Sequence, residues 1–323
     1  MLPIRVSCQP DTHKLEPNTL ALVRFGDPSV QDTDPRRIDV ALESLAAHQC
    51  EHWRSPTPVR SGTTDGFRWA ENDQVLMGHV MVGDRELTQT HAVARSVYEK
   101  LDQFLQTRGY PHLLRAWNYF NDIHRGGGDN ERYKLFVAGR YEAFAAKPHF
   151  ETSAPAATAI GTQEPGLLLY FLAGKTPGIQ VENPRQVSAF NYPKEHGARS
   201  PSFSRSTLLR SESGAMLLVS GTASIVGHAS KHPGDANAQL EEILGNLSAL
   251  LNAAEAELGD SDNAWRVDVM KLYLRHASHR LLLEERLRSA FGKDLSLITL
   301  QGDICRTELL AEVEAVFSRV PRF

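Results

Sequence analysis

DQVLMGHVMVGDRELTQTHAVARSVYEKLDQFLQTRG, residues 73–109, decides the fold class. Its first third is an apolar run from Val75 to Val82, short enough for a buried strand. The remainder sets Val93, Val97, Leu101, Phe104 and Leu105 on one helical stripe and stops at Gly109. Glycine there suits the left-handed residue that closes a helix. A strand feeding a long amphipathic helix is one half of an α/β layer. HLLRAWNYFNDI (112–123) then reads as a strand, HRGGGDN (124–130) as a loop with a good N-cap, and ERYKLFVAGRYEAFAA (131–146) as a second helix. The first 60 residues mix short apolar runs with Pro, Asp and Arg, which fits a few strands joined by loops.

The order then recurs. GAMLLVSGTASIVGH (214–228) is strand-like, DANAQLEEILGNLSALLNAAEAELG (235–259) is a long helix, and AWRVDVMKLYLR (264–275) is a strand. SHRLLLEERLRSAFG (278–292) is a helix opened by Ser278, and DLSLITLQGDI (294–304) is a further strand. Val97, Leu101 and Leu105 fall on Ile243, Leu247 and Leu251, 146 residues on, and the second helices end in RYEAF and LRSAF. Such agreement implies a duplicated unit. The expected fold class is α/β (α+β): two domains, each a mixed sheet backed by two helices, the sheets packed together with a cleft between them. The small-residue stretch ETSAPAATAIGTQEPG (151–166) reads as the joint, giving domains 1–155 and 156–323.

Over 323 residues the chain is 41% hydrophobic and 23% charged, enough apolar material for two cores. The net charge of −4 with dispersed basic residues argues against nucleic acid and anionic membrane as partners. The longest apolar run, GLLLYFLAG from Gly166, is far below the roughly 20 residues of a membrane span. No signal-like stretch opens the chain, and Cys8, Cys50 and Cys305 are too scattered for a disulfide framework. A soluble, cytoplasmic protein is the expectation.

Chemistry is suggested first by QGDICRTELLAEVEAVF (301–317), read as a strand, where Glu312 and Glu314 sit among Leu309, Leu310, Val313, Val316 and Phe317. Residues two apart share a strand face, so both carboxylates point one way. A buried carboxyl must be paired or held protonated. The polar, aromatic stretch ENPRQVSAFNYPKEHGARSPSFSRSTLL from Glu182 is either a surface loop or a loop folded over a ligand, with Arg185, Arg199 or Arg205 gripping carboxylates. Arg132, Lys134 and Arg140 share a helix with Tyr133 and Phe136, the pattern of a solvated helix face. Other signals lack their partners. The glycines from Gly126 have no Walker lysine, His276 and His279 lack further metal ligands at useful spacing, and Ser220 lacks a nucleophile elbow. No metal and no cofactor is expected.

Taken together, RAWNYFNDI, ERYKLFVAGRYEAF, NPRQVSAFNYPKEHGARSPSFSRS, VSGTASIVGH and GDICRTELLAEVEA resemble the chorismatase family, in order and over most of the chain from about residue 60. The terminal LLAEVEA also resembles the YjgF-like reactive-intermediate deaminases, whose fold chorismatase domains share. The resemblance implies chorismate as the substrate and pyruvate as one product. It places the catalytic acid at Glu312, which would protonate the enolpyruvyl methylene. Protonating carbon is slow, so the acid must be neutral, close and shielded from water. Glu314 either raises its pKa further or points beyond the pocket.

By the same resemblance Arg140 and Arg205 bind the two carboxylates of chorismate. Tyr192 lines the ring pocket, Thr222 lies near the ring hydroxyl or a carboxylate, and Asn118 and Tyr133 are further candidates. Gly221 with Cys305, seven residues before Glu312, resembles the 3-hydroxybenzoate-forming type, some members of which also make 4-hydroxybenzoate. On that reading Gly221 lets the ring sit deeper and Cys305 shapes a dry wall or exchanges a proton. Replacing both by Ala is then expected to shift product toward a dihydrodiol. The alternatives are a hydrolytic chorismatase yielding 3,4-dihydroxycyclohexa-1,5-diene carboxylate and a YjgF-like imine or enamine deaminase. His196, in KEHG, departs from the aromatic residue expected there. Monomer and trimer both stay open.

Overall fold

The computed structural model describes residues 2–10, 14–26, 33–46, 49–83, 87–145, 147, 150–259 and 264–319. Its frame is two sheets built to one plan. The first runs, from its outer edge, Arg60–Thr64, Phe67–Glu71, Val75–Val82, Leu167–Gly174, His112–Asn121 and Ala156–Thr162. The second runs Ile179–Val181, Ser206–Ser211, Gly214–Ala223, Ala311–Arg319, Arg266–Leu274 and Leu297–Gln301, with Glu43–Ser44 added at the far edge. In both, the last-formed strand inserts at the centre, and the one parallel pairing lies between the strands that flank the second helix. Strand for strand, the two orders coincide.

Each sheet carries two helices on one face. On the first lie α1 (Thr90–Arg108) and α2 (Arg132–Ala145), on the second α3 (Ala236–Leu258) and α4 (Arg280–Phe291). Of the stripe read in α1, Val97, Leu101, Phe104 and Leu105 are buried against Phe120, Leu169 and Phe171, joined by Ala94, while Val93 is part-buried at its edge. Burying each large apolar side chain contributes roughly 1.5–3 kcal/mol. Gly109 and Gly259 close α1 and α3 at φ +79° and +68°, where a Cβ would be strained. Asp235 caps α3 by accepting from the Ala238 amide.

The opposite faces of the two sheets meet in a shared core containing Met77, Trp117, Tyr119, Tyr170, Leu218 and Tyr273. A four-stranded sheet of Arg5–Pro10, Gln49–Arg54, Thr19–Phe25 and Arg37–Val40 closes that core with Trp53, Leu20 and Val23. Among the described residues no helix is long and apolar enough to cross a membrane.

Four expectations are corrected. The boundary at 155/156 falls inside the first unit, because Ala156–Thr162 and Leu167–Gly174 hydrogen-bond into the first sheet; sheet membership changes after Gly174. The residues taken for a joint form a strand because Ala156, Ala157 and Gly161 are small enough to lie against the second unit, as the Gly161–Asp303 bridge shows. Residues 301–317 are not one strand either: 302–310 turns, held by Arg275 at the Leu309, Ile304 and Arg306 carbonyls, and the strand begins at Ala311. Ser278 does not cap α4. It lies in a 3₁₀ turn at 277–279, and the helix starts at Arg280 without a side-chain cap.

Candidate active site

The last strand sits at the centre of its sheet, between Gly214–Ala223 and Arg266–Leu274. Ala311, Val313, Ala315 and Phe317 face the helices, and Val316 faces the core between the sheets. Glu312 and Glu314 share the face of Val316, as the alternation required. Both are buried, and their surroundings push them apart.

Glu314 is encircled. Its Oε1 takes a bond from Trp117 Nε1 at 2.8 Å and pairs with Lys271 Nζ at 2.5 Å; its Oε2 pairs with Arg115 Nη2 at 2.8 Å and accepts from the Thr158 hydroxyl. Lys271 in turn meets Glu51 at 3.0 Å and donates to the Tyr170 hydroxyl. Two acids and two bases thus balance in a buried network joining all three sheets. Burial opposes charge on Glu314, yet Lys271 and Arg115 hold its carboxyl below the usual value, so it stays ionised.

Glu312 has no such partners. No side-chain hydrogen bond to it is made among the described residues, and burial, reinforced by the Glu314 charge, pushes its carboxyl up to about 8. It is therefore protonated at neutral pH beside an ionised neighbour, a split between two carboxyls that leaves Glu312 able to donate a proton. Both readings of Glu314 hold at once: it points beyond the cavity, and it raises Glu312.

Glu312 forms a wall shared by two lobes of a cleft between the units, the larger of about 250 Å³. Both lobes are also lined by Tyr133, Val137, Phe203, Gly221 and Cys305. Arg140 opens on the smaller lobe and Arg205 on the larger. Arg140 lies over the Tyr98 ring, and its buried Nε and Nη2 have no hydrogen-bond partner. Arg205 donates to the Val187 carbonyl and the Tyr192 hydroxyl, leaving a buried Nε without partner. Buried donors left open at a cavity are what an anion would satisfy. The 182–209 stretch thus folds over the cleft with Gln186, Tyr192, Pro201 and Phe203. Arg185 instead pairs with Glu242, and Arg199 lies over Tyr141, both away from the lining.

Two expected residues face elsewhere. Asn118 bonds Tyr98 and the Thr158 carbonyl on the helix side, and Thr222 donates to the Ser220 carbonyl; neither lines the cleft. The cause at Thr222 is a bulge: Val219 pairs with Ala315 but Thr222 with Val313, so one extra residue reverses the alternation. Ser220 is spent on the Ala157 amide and the Ser204 carbonyl, and Gly221 turns to the cleft.

Gly221 has a contact the sequence did not reveal. A Cβ there would lie 1.9 Å from Glu312 Oε1, so its bareness makes room for the Glu312 carboxyl. Its amide donates to Thr158 Oγ1, which links it to the Glu314 network. Gly221→Ala is accordingly expected to displace the Glu312 carboxyl and lower turnover by at least tenfold with the fold retained, read from kcat and a thermal melt. Unchanged kcat would show that the carboxyl need not lie where it does. It follows that the Gly221→Ala, Cys305→Ala double variant would disturb the acid as well as the product. The Cys305 thiol is pushed up to about 12 by burial and the Glu312 charge, so it stays neutral.

Sequence reasoning missed Arg115, Thr158, Lys271 and Glu51 around Glu314, and Arg306 at the larger lobe beside Tyr192. Lys271 interrupts the apolar run Val269–Leu274, which was an available signal, whereas Glu51 lies in the mostly polar strand QCEHWR and gave none.

The chain is also similar to known proteins. Residues 51–173 match the family model described as Chorismatase FkbO/Hyg5-like, N-terminal. A 3-hydroxybenzoate synthase of Streptomyces hygroscopicus is 34% identical over 82% of this chain and 80% of its own. A chorismatase of the same organism is 32% identical over 92% and 88%. A chorismatase crystal structure superposes with a TM-score of 0.86 at 29% identity, covering 97% of this chain and 98% of that one. With such identity across most of its length and the same fold throughout, the chain belongs to the chorismatase family.

Proposed function

We propose that this protein converts chorismate to pyruvate and 3-hydroxybenzoate, with Glu312 as the acid. The observation that carries the reading is a neutral, buried carboxyl in the wall common to two lobes, each of which has its own buried arginine with unpartnered donors. Chorismate has two carboxylates, and the enolpyruvyl methylene to be protonated belongs to the arm that carries one of them. Arg140 and Arg205 hold these carboxylates, Tyr133 and Phe203 flank the ring, and Tyr192 is fixed by its bond to Arg205.

Transfer of the Glu312 proton to the methylene gives a methyl group and an oxocarbenium centre. The ring hydroxyl then displaces the enolpyruvyl oxygen, which leaves as the keto oxygen of pyruvate. The attack, with loss of the hydroxyl's proton, bridges the two ring carbons as an epoxide. The oxygen's original C–O bond then breaks as the oxygen is reprotonated. The carbon that carried the enolpyruvyl group gives up its hydrogen as a proton, which restores the acid, so the ring aromatises and no water is consumed. A neutral thiol at Cys305 and the apolar Val137 and Phe203 favour this internal route because they do not hold an attacking water. The acid and the two arginines supply what the steps need, so the proposal invokes no cofactor.

Chorismate incubated with the purified protein in ¹⁸O-water tests the reading. The expected outcome is pyruvate with 3-hydroxybenzoate whose hydroxyl oxygen is unlabelled. A labelled dihydrodiol would make the enzyme hydrolytic, and no consumption of chorismate would overturn the assignment. Arg140→Ala is expected to raise KM by about 10- to 100-fold, since a charged hydrogen bond is worth roughly 1.5–3 kcal/mol. An unchanged KM would move that carboxylate to another residue.

A further inference from the structure

At the rim of the larger lobe three potential metal ligands converge. The 3₁₀ turn at Lys194–His196 brings Glu195 and His196 to the cleft, and His228 sits in the tight turn between the short paired strands Ile225–Val226 and Ala229–Ser230. His196 Nε2 lies 3.1 Å from His228 Nδ1, His228 Nδ1 lies 3.2 Å from Glu195 Oε1, and that oxygen lies 3.4 Å from His196 Nε2. The three atoms form a nearly equilateral triangle. A tetrahedral zinc with bonds of about 2.0–2.1 Å has ligand–ligand edges of about 3.3–3.4 Å, so the triangle matches one face of that polyhedron.

We propose that Glu195, His196 and His228 form a three-ligand site for a divalent cation of zinc's class, with its fourth position open. Two imidazoles and one carboxylate suit Zn²⁺; Mg²⁺ and Ca²⁺ prefer all-oxygen sets. The site is preorganised from both sides. The His228 carbonyl is held by Arg306 Nη1 at 2.9 Å, and its neighbour Gly227 bonds the 185–187 segment through the Arg185 carbonyl and the Val187 amide. The His196 ring packs on that of Tyr192, 5.3 Å between centroids. A bound cation would clamp the 194–196 turn to the segment after the second unit's bulged strand, beside the Arg205 end of the cleft. It would thereby restrain the loop over the substrate.

The test does not depend on which reaction the enzyme runs. Untagged protein, stripped with chelator, is titrated with Zn²⁺ against a chromophoric competitor. The expected result is one equivalent bound, with affinity falling at least tenfold in His196→Ala and in His228→Ala, and a zinc-dependent rise in melting temperature that both variants lose. His276→Ala, at a pair of histidines outside the site, should bind as wild type does. The proposal is overturned if wild type shows no saturable binding below millimolar Zn²⁺. It is also overturned if folded His196→Ala and His228→Ala variants bind as tightly as wild type, or if Cys305→Ser abolishes binding while those two retain it.

Discussion

Replacing Glu312 by Gln is expected to cut kcat by about 10²- to 10⁴-fold, the usual contribution of a general acid, and at the same time to stabilise the protein. The amide keeps the shape and cannot deliver the proton. The stability gain follows from the sign of the pKa shift. A carboxyl raised from 4.5 to about 8 in the fold is neutral in the native and ionised in the unfolded state between those values. Below about pH 4.5 both states are protonated and burial of this group carries no ionisation penalty. As pH rises toward 8 the unfolded state gains by about 1.36 kcal/mol per unit, and above that the penalty levels off. Denaturant unfolding of wild type and variant should therefore diverge between pH 5 and 8, with Gln the more stable. The wild-type rate should in turn fall as pH rises through about 8. A variant with more than a tenth of wild-type kcat would remove Glu312 from the acid role. Equal stability across that range would mean the carboxyl is not held neutral.

Glu314→Gln should act in the opposite direction on stability. It leaves Lys271 and Arg115 buried with Glu51 as the single acid of the network. Breaking a buried ion network by removing one partner is destabilising by about 3–5 kcal/mol. The same change takes a negative charge from beside Glu312 and leaves two cations near it, so the Glu312 pKa must fall. The alkaline limb of the rate profile is expected below pH 8 in this variant, and turnover at neutral pH declines because less of the acid is protonated. Unfolding curves and a pH–rate profile check both halves. A limb that stays in place would reduce Glu314 to a packing role.

The two effects rest on features of unequal legibility. The alternation of LLAEVEA was enough to place Glu312 and Glu314 on one buried face, because strand parity is local. The helix stripes and their glycine stops were legible for the same reason. Parity failed at Thr222, where one inserted residue hands the cleft to Gly221 and Ala223. Asn118 lay within reach of the same rule, since Trp117 and Tyr119 face the inter-sheet core and Asn118 must face the helices. The partners of Glu314 were beyond it. Arg115 and Trp117 are about 200 residues away in the chain, and only the packing of the sheets brings them together. The strand Ala156–Thr162 of the first unit was hidden by composition. Alanines and glycines read as a joint until the close approach of Gly161 to Asp303 supplies their reason.

The shared strand order of the two sheets has a further consequence. Tyr119 and Tyr273 hydrogen-bond each other at 2.7 Å from matching strands, so they sit close to an approximate twofold axis. Opposite Tyr119 the central strand of the first sheet has Leu168, with Tyr170 two residues on; opposite Tyr273 that of the second has Glu312, with Glu314 two on. In an assembly of two identical chains, any acid placed at this position would appear twice. Two such acids, each with its charged neighbour, would compete for the same few counterions in one low-dielectric interior. Fusion into one polypeptide breaks that symmetry. One half is free to become an aromatic and aliphatic wall, and the other carries a single proton donor.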